Sequence, residues 1–202
     1  WKDNTFFPET AGVGFSFNPF VWNEDIDPAA GVLRMVFGLG TRAVERTGDD
    51  YTRLLALNAP EKRPETRPEE IRKYTQRRVD LLDLKTNRLQ SADFEELVSH
   101  LAEEPVLQTY LDPETRPGSN PGPVPPLLSF DFLIGSTGFI ADMRSILNRL
   151  QTTYASPVDI EFTANLSADN QCRINLLQCR PFQVRIKGAS SALPAPASIR
   201  NQ

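Results

Sequence analysis

Four polar residues toward the end of the chain have types and spacing suited to chemistry on a charged ligand. Asp159 and Glu161 stand in the run Val158-Asp159-Ile160-Glu161-Phe162, and Gln178 and Arg180 in Leu176-Leu177-Gln178-Cys179-Arg180. Two carboxylates two positions apart on a strand point the same way and can hold a hard cation such as Mg²⁺, which takes oxygen ligands and bridges to phosphates. A guanidinium beside them can bind phosphate oxygen through its fork of donors, and a glutamine can orient a ligand or water. The elements that must position them are two strands. Apolar runs at Val158 to Phe162 and Ile174 to Cys179 flank a polar segment, Ala168-Asp169-Asn170-Gln171, with hairpin-turn chemistry. A two-residue turn centred on Asp169-Asn170 sets Glu161 opposite Gln178 and Asp159 opposite Arg180. All four then project from one face, and Ile160, Phe162, Leu177 and Cys179 from the other. Spacing alone supports equally a plain sheet face carrying one cross-strand ion pair and one hydrogen bond.

The two halves, DIEF followed by LLQCRP, resemble the end of the nucleotide-binding domain of the phosphoenolpyruvate synthase and pyruvate phosphate dikinase family, an ATP-grasp domain. The resemblance implies ATP and Mg²⁺ as cofactors. It implies that Asp159 and Glu161 hold the metal, that Arg180 neutralises phosphate charge, and that Gln178 orients the phosphates, the last two as the catalytic pair. It also implies partners on other domains: a phosphohistidine domain of the same polypeptide and, through it, pyruvate. Relatives that phosphorylate another acceptor, and a degenerate member kept only as a binding module, are the alternatives.

Earlier segments extend the resemblance over about residues 10–57 and 127–184. Gly12-Val13-Gly14-Phe15-Ser16-Phe17-Asn18-Pro19 is similar to the family's G-V-x-F-T-x-N-P strand, and its glycines call for close approach by a ligand or by a neighbouring element. Val32 to Leu39 reads as an apolar strand. Gly38-Leu39-Gly40 then leads into a short helix from Thr41 to Arg46, an arrangement that can present free N–H groups to an anion and is equally an ordinary strand-to-helix turn. The resemblance makes Gly38 and Gly40 cofactor-binding. The family's G-L-G-E-x-V-V segment has Glu where this chain has Thr41; Arg42 follows and could supply phosphate charge instead. His100, the only histidine, lies in Leu97-Val98-Ser99-His100-Leu101 without glycine-rich surroundings and reads as a surface or structural residue.

The remaining elements imply an α+β domain, an ATP-grasp-like subdomain with a largely antiparallel sheet covered by helices. Strands are expected at Tyr51 to Leu57 and Leu127 to Ile134; Arg77 to Leu84, followed by Lys85-Thr86-Asn87, favours a strand and turn, with a helix as the alternative. Helices are expected from Pro68, from Asp93 to about Glu103, and from Phe139 to about Tyr154. Gly48-Asp49-Asp50 is a turn, Asp112 to Pro126 a proline-rich loop, and the acids Glu24, Asp25 and Asp27 belong to a solvated loop. The chain divides into 1–187, the C-terminal half of a nucleotide-binding domain, and 188–202, a linker rich in Ala, Ser and Pro. With Trp1 at its start it reads as a piece of a longer polypeptide, whose preceding lobe adds further cationic contacts, so weak ATP binding by this piece alone is expected.

A net charge of −4 over 202 residues argues against nucleic acid or an anionic membrane as partner, and no apolar run has transmembrane length. The start lacks a basic-plus-apolar signal, which makes a cytoplasmic setting the expectation. Cys172 and Cys179, seven positions apart on one strand, are expected on opposite faces and too far apart to bridge.

Overall fold

The computed structural model describes residues 4–45, 50–101, 105–116, 125–167 and 169–181. Its strands form two antiparallel sheets. The larger has the order β4 (Arg53–Ala56), β3 (Val32–Val36), β2 (Thr10–Phe15), β7 (Val158–Leu166) and β8 (Cys172–Pro181); the smaller has β1 (Thr5–Phe6), β5 (Arg78–Asp83) and β6 (Arg88–Asp93). Six helices accompany them among the described residues: α1 (Thr41–Val44), α2 (Pro68–Lys73), α3 (Phe94–Leu101), α4 (Pro105–Thr109), α5 (Asp131–Ser136) and α6 (Phe139–Tyr154). The architecture is α+β, as the alternation of element types implies. The Gly48-Asp49 turn, the 188–202 linker, the last residues of the expected Asp93 helix and most of the proline-rich loop lie outside the described residues.

One core joins both sheets. Strict alternation in β7 turns Val158, Ile160, Phe162, Ala164 and Leu166 inward, where they meet Leu33 and Met35 of β3 and Val79 and Leu81 of β5. Helix α6 covers this inner face. Phe139, Met143 and Leu147 recur at the helical spacing and are buried, and the Phe139 ring lies 6.0 Å from that of Phe162. The helix stops at Ala155, whose φ of 49° is left-handed.

Gly12 and Gly14 also face this core. A Cβ on Gly12 would strike the Arg34 carbonyl oxygen and press on the Phe162 ring; on Gly14 it would lie 3.0 Å from Leu33 Cδ2 and 3.1 Å from Ile160 Cγ1. The close approach these glycines permit is therefore made by neighbouring strands.

Two elements differ from expectation. The segment Leu127 to Ile134 is not a strand: only Leu128 bridges, to Leu111, and Asp131–Ser136 is helical. The Ser129 hydroxyl accepts from the Asp131 N–H at 3.1 Å, and Phe130 and Leu133, three apart, both enter the core. The Ser129 hydroxyl bond to the first helical N–H and the helical spacing of the core residues outweigh strand propensity there. Strand β6 was not legible, since Arg-Leu-Gln-Ser-Ala-Asp is polar and almost wholly exposed; it forms because it pairs along all of β5 across the Lys85-Thr86-Asn87 turn. Asp93 accepts from the Glu95 N–H at 2.9 Å and starts α3 where the capping pattern placed it.

Candidate functional site: the outer face of the five-stranded sheet

Strands β7 and β8 pair Asp159 with Arg180 and Glu161 with Gln178, the register derived from the sequence, but by a different route. The hairpin closes at Ser167 and Gln171, with Asn170 at φ 61°, rather than through a two-residue turn. This leaves Phe162 opposite Leu176, and a bulge between Glu161 and Phe162 takes up the extra residue, Leu177. The two irregularities cancel, so Glu161 still meets Gln178. Two face assignments change as a result. Leu177 is 63% exposed and lines a cavity with Thr163 and Asn175 instead of entering the core. Cys172 and Cys179, separated by the bulge, both pack against the core cluster, on the same side. Both are free thiols, and burial pushes Cys172 up to about 11, with help from the charges of Asp142 and Glu9.

The four polar groups share the outer face, and among the described residues no helix covers them. Arg180 Nε donates to both Asp159 oxygens at 2.8 Å; the Asp159 side chain is 13% exposed and that of Arg180 60%. The hydrogen bond to Asp159 and its charge hold the guanidinium above its ordinary value. Glu161 is half-buried and Gln178 exposed. The expected Glu161 to Gln178 hydrogen bond is not formed among the described residues, so each keeps capacity for a ligand.

Sequence reasoning missed Arg34. It was counted within an apolar run, yet it sits at the outward position between Val32 and Val36 and pairs across β2 with Val13, which itself pairs with Glu161. One charged residue at an alternate position of an otherwise apolar strand was the available signal. Glu9 was also missed. Its Oε2 accepts from the Leu166 N–H at 2.6 Å, and burial raises its carboxyl above the ordinary value despite that bond. It lines a cavity of about 720 Å³ with Leu39, Gly40, Thr163 and Asn165, next to the polar face.

The glycine turn and its surroundings are held structurally. Gly38, at φ 95°, allows β5 to approach: a Cβ there would fall 2.5 Å from Val79 Cγ1 and 2.8 Å from the Asp80 carbonyl oxygen. Gly40 caps α1 and opens on the cavity. Helix α1, four residues long, begins directly after Gly40. The Thr41 hydroxyl donates to Asp80 Oδ2 at 2.6 Å, and Arg42 Nε donates to Asp80 Oδ1 at 2.9 Å. Arg42 also donates to Ser91 Oγ at 2.8 Å, lies 3.7 Å from Asp50 Oδ2, and is 9% exposed. A guanidinium so enclosed by carboxylates ties α1 to β5, so the idea that Arg42 supplies phosphate charge is set aside. His100 is exposed on α3, as its sequence setting suggested.

No helix among the described residues is long and apolar enough to cross a membrane. Comparison with curated proteins gave no significant match. The sequence-family comparison matches residues 4–200 to a family described as pyruvate phosphate dikinase, AMP/ATP-binding domain. That match spans both sheets, the glycine turn and the β7–β8 hairpin, and the chain belongs to this family of AMP/ATP-binding domains.

Proposed function

We propose that the outer face of the sheet holds the magnesium-bound triphosphate of ATP, as part of an ATP-grasp-like nucleotide domain in a phosphoenolpyruvate synthase-like phosphotransferase. The observation that carries this reading is the sharing of one open face by Asp159, Glu161, Gln178 and Arg180. Two carboxylates on one strand would supply hard oxygen ligands once Arg180 leaves Asp159; among the described residues no group of three His, Cys, Asp or Glu is placed to hold a metal ion by itself. Phosphate and water oxygens would have to complete the shell around these two carboxylates. When bound, Mg²⁺ neutralises phosphate charge and fixes the transferring group. Arg180 turns from Asp159 toward phosphate oxygens, and Gln178 donates its amide N–H to them. Catalysis of this kind is positioning and electrostatics. A phosphoryl group would pass from ATP to a histidine nitrogen on another domain as a P–O bond breaks and a nucleoside phosphate leaves, and then to the enol oxygen of pyruvate as the P–N bond breaks and frees the histidine.

A second reading, a nucleotide-binding module that transfers nothing, is favoured by Thr41 and Arg42, which engage Asp80 where the family places a glutamate. Amide NMR of the chain titrated with Mg-ATP tests the site. Perturbations at residues 159, 161, 178 and 180 at millimolar nucleotide are expected; a spectrum unchanged along β7 and β8 rejects it. Release of phosphate from ATP by the whole polypeptide separates the two readings.

A further inference from the structure

The triphosphate reading leaves the centre of the same face unexplained. On β3, Val32 and Val36 are fully buried on the outer side: Val36 packs with Ala11 under Ala43 of α1, and Val32 pairs with Ala56, which packs with Ile26 and Ala59. Between these two covers stands Arg34, half-buried, the only charged residue of the strand. The register runs from Arg34 through Val13 to Glu161 and Gln178, one row across four strands. Strands β3 and β7 are two spacings apart, about 10 Å, a gap that an arginine reaching from one side and a metal-bound phosphate at Glu161 can close. Val13 between them is apolar and 8% exposed, a floor that offers no competing partner.

We infer that Arg34 is a phosphate-contacting residue, the second guanidinium of the site. This rests on reading the outer face as the triphosphate site. The acids of β7 then lie between two cations, Arg180 on β8 and Arg34 on β3, and a phosphate chain laid across the row meets guanidinium on both sides of the metal. Arg34 is engaged in an interaction in this structure, as Arg180 is with Asp159. Arginine suits the place better than lysine because its fork binds two phosphate oxygens at once.

The test follows the Arg34 side-chain Nε–H resonance while the chain is titrated with Mg-ATP and, separately, with magnesium tripolyphosphate. Both ligands should shift it. Arg34→Gln should weaken both about tenfold or more, with Arg34→Lys between it and the parent chain. If Arg34 stays unmoved and Arg34→Gln binds as the parent does, while Glu161→Gln loses binding, the inference is overturned and the triphosphate reading stands. If neither ligand perturbs residues 159 and 161 of the parent, both fall. The resonance of the parent chain decides the matter even where Arg34→Gln fails to fold.

Discussion

Arg180 and Asp159 form an ion pair that would also act as a latch if Asp159 holds the metal as proposed. With Nε within 2.8 Å of both carboxylate oxygens, the guanidinium occupies the side of Asp159 that a metal would use. Replacing Arg180 with Met should therefore raise the affinity of the chain for Mn²⁺ alone while lowering its affinity for Mg-ATP, a split that a Mn²⁺ paramagnetic resonance titration with and without nucleotide reads directly. Equal losses in both titrations would deny the latch. Glu9 makes a pH prediction. Burial raises its folded-state pKa above the 4.5 of an ordinary glutamate. The folded chain therefore binds more protons in that window; the associated stability is complete below 4.5 and lost as pH rises through the folded value. Glu9→Gln keeps an oxygen acceptor for Leu166, so its stability should gain on the parent's as pH climbs from about 4 to about 7, measured by urea midpoints.

At the scale of elements, the turn at Gly38 decides how closely the two sheets meet. The Leu39 N–H donates to the Asp80 carbonyl at 2.9 Å, and a side chain at Gly38 would occupy the space of Val79 while holding a positive φ. Gly38→Ala should cost about 2 kcal/mol or more, seen as a lower urea midpoint, with Gly40→Ala much milder because its Cβ would meet only Ala11 at 3.4 Å. The β7–β8 hairpin carries the main lesson about reading elements from sequence. Alternation placed Asp159, Glu161, Gln178 and Arg180 on one face correctly. It misplaced Leu177 and one cysteine, because a longer turn and a bulge each shift the pairing by one residue and cancel only beyond the bulge. A pairing sum read along an unbroken ladder cannot distinguish a regular hairpin from one with two compensating defects.

Across the whole molecule, the link between the sheets runs through a buried polar cluster. Burial alone would raise the Asp80 carboxyl, but hydrogen bonds from Thr41, Arg42 and Ser91 outweigh it and hold it below its ordinary value. Its folded pKa being depressed, Asp80 contributes stability that is present above the unfolded value of 3.8 and lost as pH falls through the folded one. Asp80→Asn leaves Arg42 without its nearest carboxylate and should cost about 3 kcal/mol at neutral pH. The loss should shrink on acidification, because the parent then gives up the same interaction. Thermal or urea unfolding across that pH range checks both size and direction.

The order of residue types by itself determined the element pattern that builds the site: the alternating strand around Asp159 and Glu161, its partner around Gln178 and Arg180, and the helix from Phe139 to Tyr154 that turns their other face into core. These are local properties, set by periods of two and 3.6 residues. Tertiary structure decided what no local period contains. It drew Arg34 into line with Glu161 across β2, enclosed Arg42 between carboxylates from segments distant in sequence, and gave Gly12 and Gly14 to strand packing. The physical reason is that a side chain's direction follows from its own strand, whereas its neighbours follow from which strands the shared core brings together.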